Sequence, residues 1–178
     1  MKVLLHICCA NCAIYPVQRL QNQEMEVYGF FYNPNIHPYQ EYKKRLETVK
    51  EYSKKTDLKM ISQDEYKLEE FLRNVVFRES ERCLYCYYTR LKSTAKVARK
   101  GKFDFFSTTL LYSKYQKHES IKSIGESLAK EYGVKFYYED FRNGWKVGID
   151  ISKDLKLYRQ QYCGCIYSEK ERYFKEEI

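Results

Sequence analysis

Short apolar runs alternate with longer amphipathic ones along the whole chain, and this alternation limits the possible folds more than any other feature. Val3 to Ile7, Val27 to Tyr32, Phe103 to Thr108 and Val134 to Tyr138 read as strands, with Lys59 to Ser62 a weaker one. Between them lie helical patterns at Ala13 to Asn22 and at Tyr39 to Lys55, where Tyr42, Leu46 and Val49 share a face. Asp64 is placed to cap a helix running to Val75. Further helices are expected over Cys83 to Lys100, stopped by Gly101, and over Ser120 to Tyr132, stopped by Gly133. The last ~30 residues read as helical, with a break at Cys163-Gly164-Cys165. Strand–helix alternation of this kind predicts an α/β fold with a mostly parallel, Rossmann-like sheet covered on both faces, followed by C-terminal helices. With 178 residues, the chain suits a single domain over 1–178, able to bury about 70% of its unfolded surface without disulfides.

In such sheets ligands bind beyond the carboxyl ends of the strands. The chemically unusual residues fall at those ends. Cys8-Cys9 follows the first strand and Asn33-Pro34-Asn35 the second. Ser107-Thr108-Thr109 closes the Phe103 strand, and Asp140-Phe141-Arg142 follows the Val134 strand. One edge of the sheet is therefore expected to collect the site.

Seven cysteines fall in three groups, Cys8-Cys9-x-x-Cys12, Cys83-x-x-Cys86 and Cys163-x-Cys165. No signal-like amino terminus precedes them, and no apolar run approaches the ~18 residues of a membrane span. A cytoplasmic chain is expected, with no membrane association. Thiols stay reduced there, so clustered cysteines read as metal ligands or catalytic groups. A C-x-x-C pair is a bidentate clip for zinc or iron–sulfur sites. Seven thiols exceed the four that one zinc or one cubane cluster takes. Because neighbouring side chains diverge, Cys8 and Cys9 are not expected to meet at one ion, which favours two sites. Iron–sulfur, zinc and metal-free redox thiols all stay open at this point. Cys12, in the first turn of a helix, is expected to have its thiol pKa lowered by the helix dipole, favouring the thiolate.

Lys and Arg total 32 against 24 Asp and Glu, a net charge of +8, which suits a polyanionic partner. From Arg82 to Phe103 the basic residues Arg82, Arg90, Lys92, Lys96, Arg99, Lys100 and Lys102 run without an acid, with Tyr85, Tyr87 and Tyr88 interleaved. Such a stripe can neutralise phosphates, or be simply a solvated helix face. Among the loop residues, His37 reads as a proton donor or base contact. His118 reads as a helix cap, and Asp140 and Arg142 as a structural ion pair. Thr108, Thr109, Tyr115 and Gln116 read as substrate contacts or loop braces.

Taken together, these blocks resemble the cobalamin-independent epoxyqueuosine reductase family (QueH). The resemblance is carried by His6-Ile7-Cys8-Cys9-Ala10-Asn11-Cys12, by Phe31 through Pro38, and by Arg82-Cys83-Leu84-Tyr85-Cys86-Tyr87 with Arg90. It continues in Ser107 through Leu111 with Ser113, Tyr115, Gln116 and His118, in Asp140-Phe141-Arg142, and in Gln161 through Ser168. Asn11 stands where the family usually has Pro, which costs loop rigidity but no ligand.

The resemblance implies a tRNA-modifying oxidoreductase that turns epoxyqueuosine in the anticodon loop into queuosine, the last step of that pathway. It also implies a fold like the adenine nucleotide alpha-hydrolase (HUP) group, a [4Fe-4S] cluster, a second mononuclear iron and an external electron donor. The loop after strand one lacks glycine and serine, so no ATP use is expected. On this reading all seven cysteines are metal ligands. Cys83, Cys86, Cys9 and Cys163 are assigned to the cluster, and Cys8, Cys12 and Cys165 to the second iron. His37 or Asp140 would protonate the leaving oxygen. Asn33, Asn35, Arg82, Tyr87, Arg90, Thr108, Thr109, Tyr115, Gln116 and Arg142 would hold substrate or tRNA. A zinc-stabilised RNA-binding module and a thiol oxidoreductase are the rival readings.

Overall fold

The computed structural model of the protein describes residues 1–174. Five strands, β1 (Lys2–His6), β2 (Glu26–Phe31), β3 (Lys59–Ser62), β4 (Phe105–Thr108) and β5 (Lys135–Phe136), form one sheet in the order β3-β2-β1-β4-β5. Every pairing is parallel, with Leu4 opposite Tyr28 on one side and Phe106 on the other. β1 is the central strand, and Val3 to Leu5 are fully buried, as a strand covered on both faces requires.

The chain winds outward from β1 to β3, then returns to start β4 on the other side of β1. Right-handed crossovers in opposite directions place their helices on opposite faces. Accordingly α1 (Ala10–Gln21) packs with α2 (Tyr39–Thr56), and α4 (Arg82–Lys100) packs with α5 (His118–Tyr132). The reversal falls between β1 and β4, so their carboxyl ends form the crevice where such folds bind ligands. α3 (Leu68–Val75) precedes α4, and α6 (Trp145–Asp154) lies against α1. The last described helix is α7 (Ile166–Tyr173). Among the described residues no helix is long and apolar enough to cross a membrane.

The sheet and both helical layers match the sequence reading, and several element boundaries do not. α1 begins at Ala10, three residues early, with Cys9 as its extended N-cap. Asp64 does not cap α3, because its carboxylate accepts the Tyr42 hydroxyl proton at 2.8 Å and the helix waits until Leu68. β5 shrinks to two residues: as an edge strand it has one neighbour, and Tyr137 ends the pairing with a bond to the Phe106 carbonyl. The C-terminal break is also wider than expected. Extended chain from Leu157 to Cys165 separates α6 from α7, and it crosses the carboxyl edge of the sheet to supply one wall of the site. Residues 175–178, where the C-terminal helical reading also fell, lie outside the described residues.

Candidate functional site

β1 delivers Cys8 and Cys9 to the crevice, and the first turn of α1 adds Cys12. The three Sγ atoms lie within 4.8 Å of one another, and those of Cys8 and Cys9 are 3.9 Å apart. This corrects the expectation that adjacent cysteines diverge. Alternation holds inside a strand, but Cys9 is the N-cap where the backbone turns into the helix, and the turn brings its thiol back beside Cys8.

Cys8 is the thiol of the trio that is held low, whereas Cys12, expected to be lowered by the helix dipole, is raised. Cys12 and Cys9 donate to the Cys8 sulfur and the Thr109 hydroxyl supports it, so Cys8 is held well below the usual thiol range against the opposing effect of burial. Cys12 is pushed up by the same hydrogen bonds, and Cys9 chiefly by burial.

Behind it, strand ends are pinned by His6, whose ring bonds Thr108 Oγ1 at 2.9 Å and both the Tyr32 carbonyl and Asn33 Oδ1 at 3.2 Å. Burial pushes His6 down to about 3, so it is a neutral brace. Asn33 donates to the Ile7 carbonyl at 2.9 Å, and Thr108 accepts from the Leu110 amide.

The remaining four cysteines gather opposite. Cys83 and Cys86 stand on the first turns of α4, and Cys163 and Cys165 flank Gly164, whose φ of 148° suits glycine. Burial pushes the Cys86 thiol up to about 12; neighbouring Cys163, Cys165 and Cys83 add to the rise, and Arg90 opposes it. This group is looser than the first. Among the described residues, only Cys8, Cys9 and Cys12 bring three metal-ligand atoms that close together.

Arg90, expected in the phosphate-binding stripe, is fully turned inward. Its Nη2 lies 2.6 Å from Cys86 Sγ and its Nε donates to the Cys86 carbonyl. Arg82 is likewise occupied, by Glu171, the Glu79 carbonyl and the Tyr167 ring. The rest of the stripe, Lys92, Lys96, Arg99, Lys100 and Lys102, faces outward, and Lys92, Lys96 and Lys100 line a groove with Tyr85 and Tyr88.

A cavity of about 600 Å³ separates the two thiol groups, with Cys8, Cys12 and Cys163 in its wall and Arg45, Arg90 and Gln116 beside them. Tyr115 stands at its rim, 81% exposed. Gln116 donates to Cys163 Sγ at 3.2 Å and accepts from Tyr87 at 2.9 Å, joining two expected site residues to a thiol. His37 does not reach the cavity. It is buried against Phe71 and Tyr66, and burial lowers it to about 4. Asp140 and Arg142 form the ion pair foreseen as the structural alternative, outside the cavity wall. Arg142 donates to the carboxylate from its guanidinium and from its backbone amide, and these bonds hold Asp140 down at about 2. Asn35 is buried in a small pocket beside Cys86, its Oδ1 without a partner among the described residues.

Arg45 and Gln160 had no sequence signal, and Asn11 stood out only as a departure from the family pattern. Arg45 is buried mid-helix, bonded to Glu41 at 2.7 Å and to the carbonyls of Tyr162 and Cys163 at 2.9 and 2.8 Å, so it anchors the Cys163 loop. Gln160 Nε2 lies 2.9 Å from Cys9 Sγ and 3.6 Å from Cys12 Sγ. Asn11 donates to Gln160 Oε1 and the Tyr158 carbonyl, and accepts from Ser152 Oγ. A charged residue at helical spacing reads as surface, and these long-range bonds leave no local trace.

Fold and site together define a class: a parallel α/β protein carrying a buried cysteine centre at the switch point of its sheet. Residues 3–171 match the family model described as epoxyqueuosine reductase QueH, and the chain belongs to that family of oxidoreductases. The epoxyqueuosine reductase QueH of Dehalococcoides mccartyi is 42% identical over 98% of this chain and 96% of its own length. That of Thermotoga maritima is 38% identical over 96% of this chain and 91% of its own. Two solved structures share the fold at low identity. The U34-tRNA thiolase NcsA of Methanococcus maripaludis, with its [4Fe-4S] cluster, gives a TM-score of 0.59 at 16% identity, over 94% of this chain and 61% of that protein. A predicted subunit of tRNA methyltransferase from Methanocaldococcus jannaschii gives 0.58 at 14% identity, over 86% of this chain and 76% of its own.

Proposed function

We propose that the chain reduces epoxyqueuosine in the anticodon loop of tRNA to queuosine, at a centre built from its seven cysteines. The cavity carries the reading, because thiols of both groups face it. Its volume suits one extruded base, within the roughly 300–1,000 Å³ typical of small-ligand sites. The conversion consumes two electrons and two protons and releases the epoxide oxygen as water. An external donor supplies the electrons.

The thiol spacing fits two metal groups. Thiolates bound at about 2.3 Å to one tetrahedral ion sit about 3.8 Å apart, near the 3.9 Å between Cys8 and Cys9. Thiolates that each bind a different iron of a cubane are farther apart, as in the looser group. A [4Fe-4S] cluster therefore suits Cys83, Cys86, Cys163 and Cys165, with a single iron at Cys8, Cys9 and Cys12. This division differs from the one expected from sequence in Cys9, whose sulfur lies with those of Cys8 and Cys12, and in Cys165. When bound, these groups supply one-electron transfer and a Lewis-acidic position.

The chain's own residues do the rest. Thr109 and Gln160 bond the sulfurs of the trio, and Arg90 sets the charge at Cys86. Arg45 fixes the Cys163 loop, while Arg159, Lys114 and Arg172 in the cavity wall suit a phosphate backbone.

The test is incubation of the anaerobically purified protein with epoxyqueuosine-containing tRNA and a strong reductant, followed by nucleoside mass analysis. Loss of one oxygen from the modified nucleoside is the expected result. Unchanged epoxyqueuosine with iron-loaded protein overturns the proposal.

A further inference from the structure

The chain has a single tryptophan, Trp145, and the fold leaves it 48% exposed on the cavity wall. Tyr115, more exposed still, lines the same cavity. Lys114 stands between them, its Nζ 5.2 Å from the Tyr115 ring centre and 5.8 Å from that of Trp145. The two rings therefore lie within about 11 Å of each other around one cation. The backbone that carries Trp145 is fixed: Tyr112 donates to its carbonyl at 2.8 Å, and Gly148 one turn later packs on the same Tyr112 ring.

Exposed large aromatics beside a deep cavity mark an interaction surface, and charge says of which kind. The cavity wall holds Arg45, Arg90, Lys114, Arg159 and Arg172 against the single acid Glu171, which is paired with Arg82. Arg45 and Arg90 are committed to internal partners, which leaves Lys114, Arg159 and Arg172 as cations facing outward. Aromatic faces interleaved with cations fit single-stranded nucleic acid, whose bases stack while its phosphates are neutralised. A protein partner would need apolar area without that excess of positive charge. Stacked bases along a strand sit about 3.4 Å apart. Extruding one base into the cavity leaves its two neighbours separated and unstacked, in need of new faces.

We propose that Trp145 and Tyr115, with Lys114 between them, form the platform on which the nucleotides flanking the extruded base stack. The assignment rests on the tRNA reading above and names the surface by which the RNA is held. Trp145 and Tyr115 set the position of the loop, so they act in binding and not in electron transfer.

Because Trp145 is the only tryptophan, its emission reports on its own ring. The experiment titrates the anaerobically purified, metal-loaded protein with an unmodified anticodon stem-loop RNA, and separately with a blunt duplex of the stem sequence. Tryptophan emission and the anisotropy of end-labelled RNA are read together. The stem-loop is expected to quench Trp145, and the duplex to leave it unchanged. Trp145→Ala and Tyr115→Ala are each expected to weaken stem-loop binding about tenfold, with Trp145→Phe affected less. Iron content and circular dichroism of the variants should match the parent, which separates lost stacking from lost folding. Stem-loop binding with unchanged emission and unchanged affinity in both alanine variants overturns the platform and leaves the tRNA reading intact. Equal quenching by the duplex overturns it too, since that is phosphate attraction without stacking. Absence of any RNA binding overturns both.

Discussion

Arg90 Nη2 lies 2.6 Å from Cys86 Sγ, a fully buried cation placed on a fully buried thiol. A charge there is stabilised only if its partner becomes a thiolate, as it does on binding metal. Arg90→Lys keeps the charge but cannot donate to both the sulfur and the Cys86 carbonyl. It is expected to lower acid-labile sulfide per chain at least about twofold. Arg90→Met removes the charge and should lower it further. Parent-like sulfide in both variants would show that the contact is structural.

The Gln160 amide supports the trio from the other side. Partners that orient metal ligands change affinity by about 10–100-fold when removed. Gln160→Ala should weaken metal binding at Cys8, Cys9 and Cys12 by about tenfold, read by competition with a chromophoric chelator. The cluster absorbance, which depends on the other four cysteines, should persist.

The three hydrogen bonds of Asn11 tie the cysteine turn to Ser152, Tyr158 and Gln160. Asn11→Pro stiffens the turn but strands Ser152 and the Tyr158 carbonyl. Each buried group left unpaired costs about 1–3 kcal/mol. Urea unfolding of the variant is expected to show a net loss of about 2 kcal/mol, offset in part by the stiffer turn. A more stable variant would mean that the network contributes nothing.

His37 sets a pH dependence. Its folded value of about 4 lies below its ordinary 6.5, so the unfolded chain binds a proton that the folded chain does not. Its contribution is fully present above pH 6.5 and is lost as pH falls toward 4. The slope is up to about 1.4 kcal/mol per pH unit. His37→Phe, set among Phe71 and Tyr66, should flatten that decline in urea melts. An unchanged slope would contradict the assignment.

The sheet, its parallel sense and the active edge could be read from the sequence because they rest on local periodicity and on where apolar runs stop. The three cysteine groups were equally visible. What escaped were relations set by long-range packing. The Cys8–Cys9 pair converges because a helix cap bends the chain between them. Arg90 looks like one more cation of a basic helix until α4 is seated with that face on β1 and β4. Arg45 holds the Cys163 carbonyl and Gln160 the Cys9 thiol, each more than a hundred residues away along the chain. Asp140 and His37 attracted attention by residue type, and the fold places both off the cavity wall.

The two-group division of the cysteines is tested most directly by counting iron and sulfide in the anaerobic protein and in two variants, Cys9→Ser and Cys86→Ser. The account predicts a brown parent with about four sulfides and more than four irons per chain. Cys9→Ser should keep the sulfide and lose about one iron, while Cys86→Ser should lose most of the sulfide. A colourless parent holding one zinc, or sulfide lost equally from both variants, would contradict it.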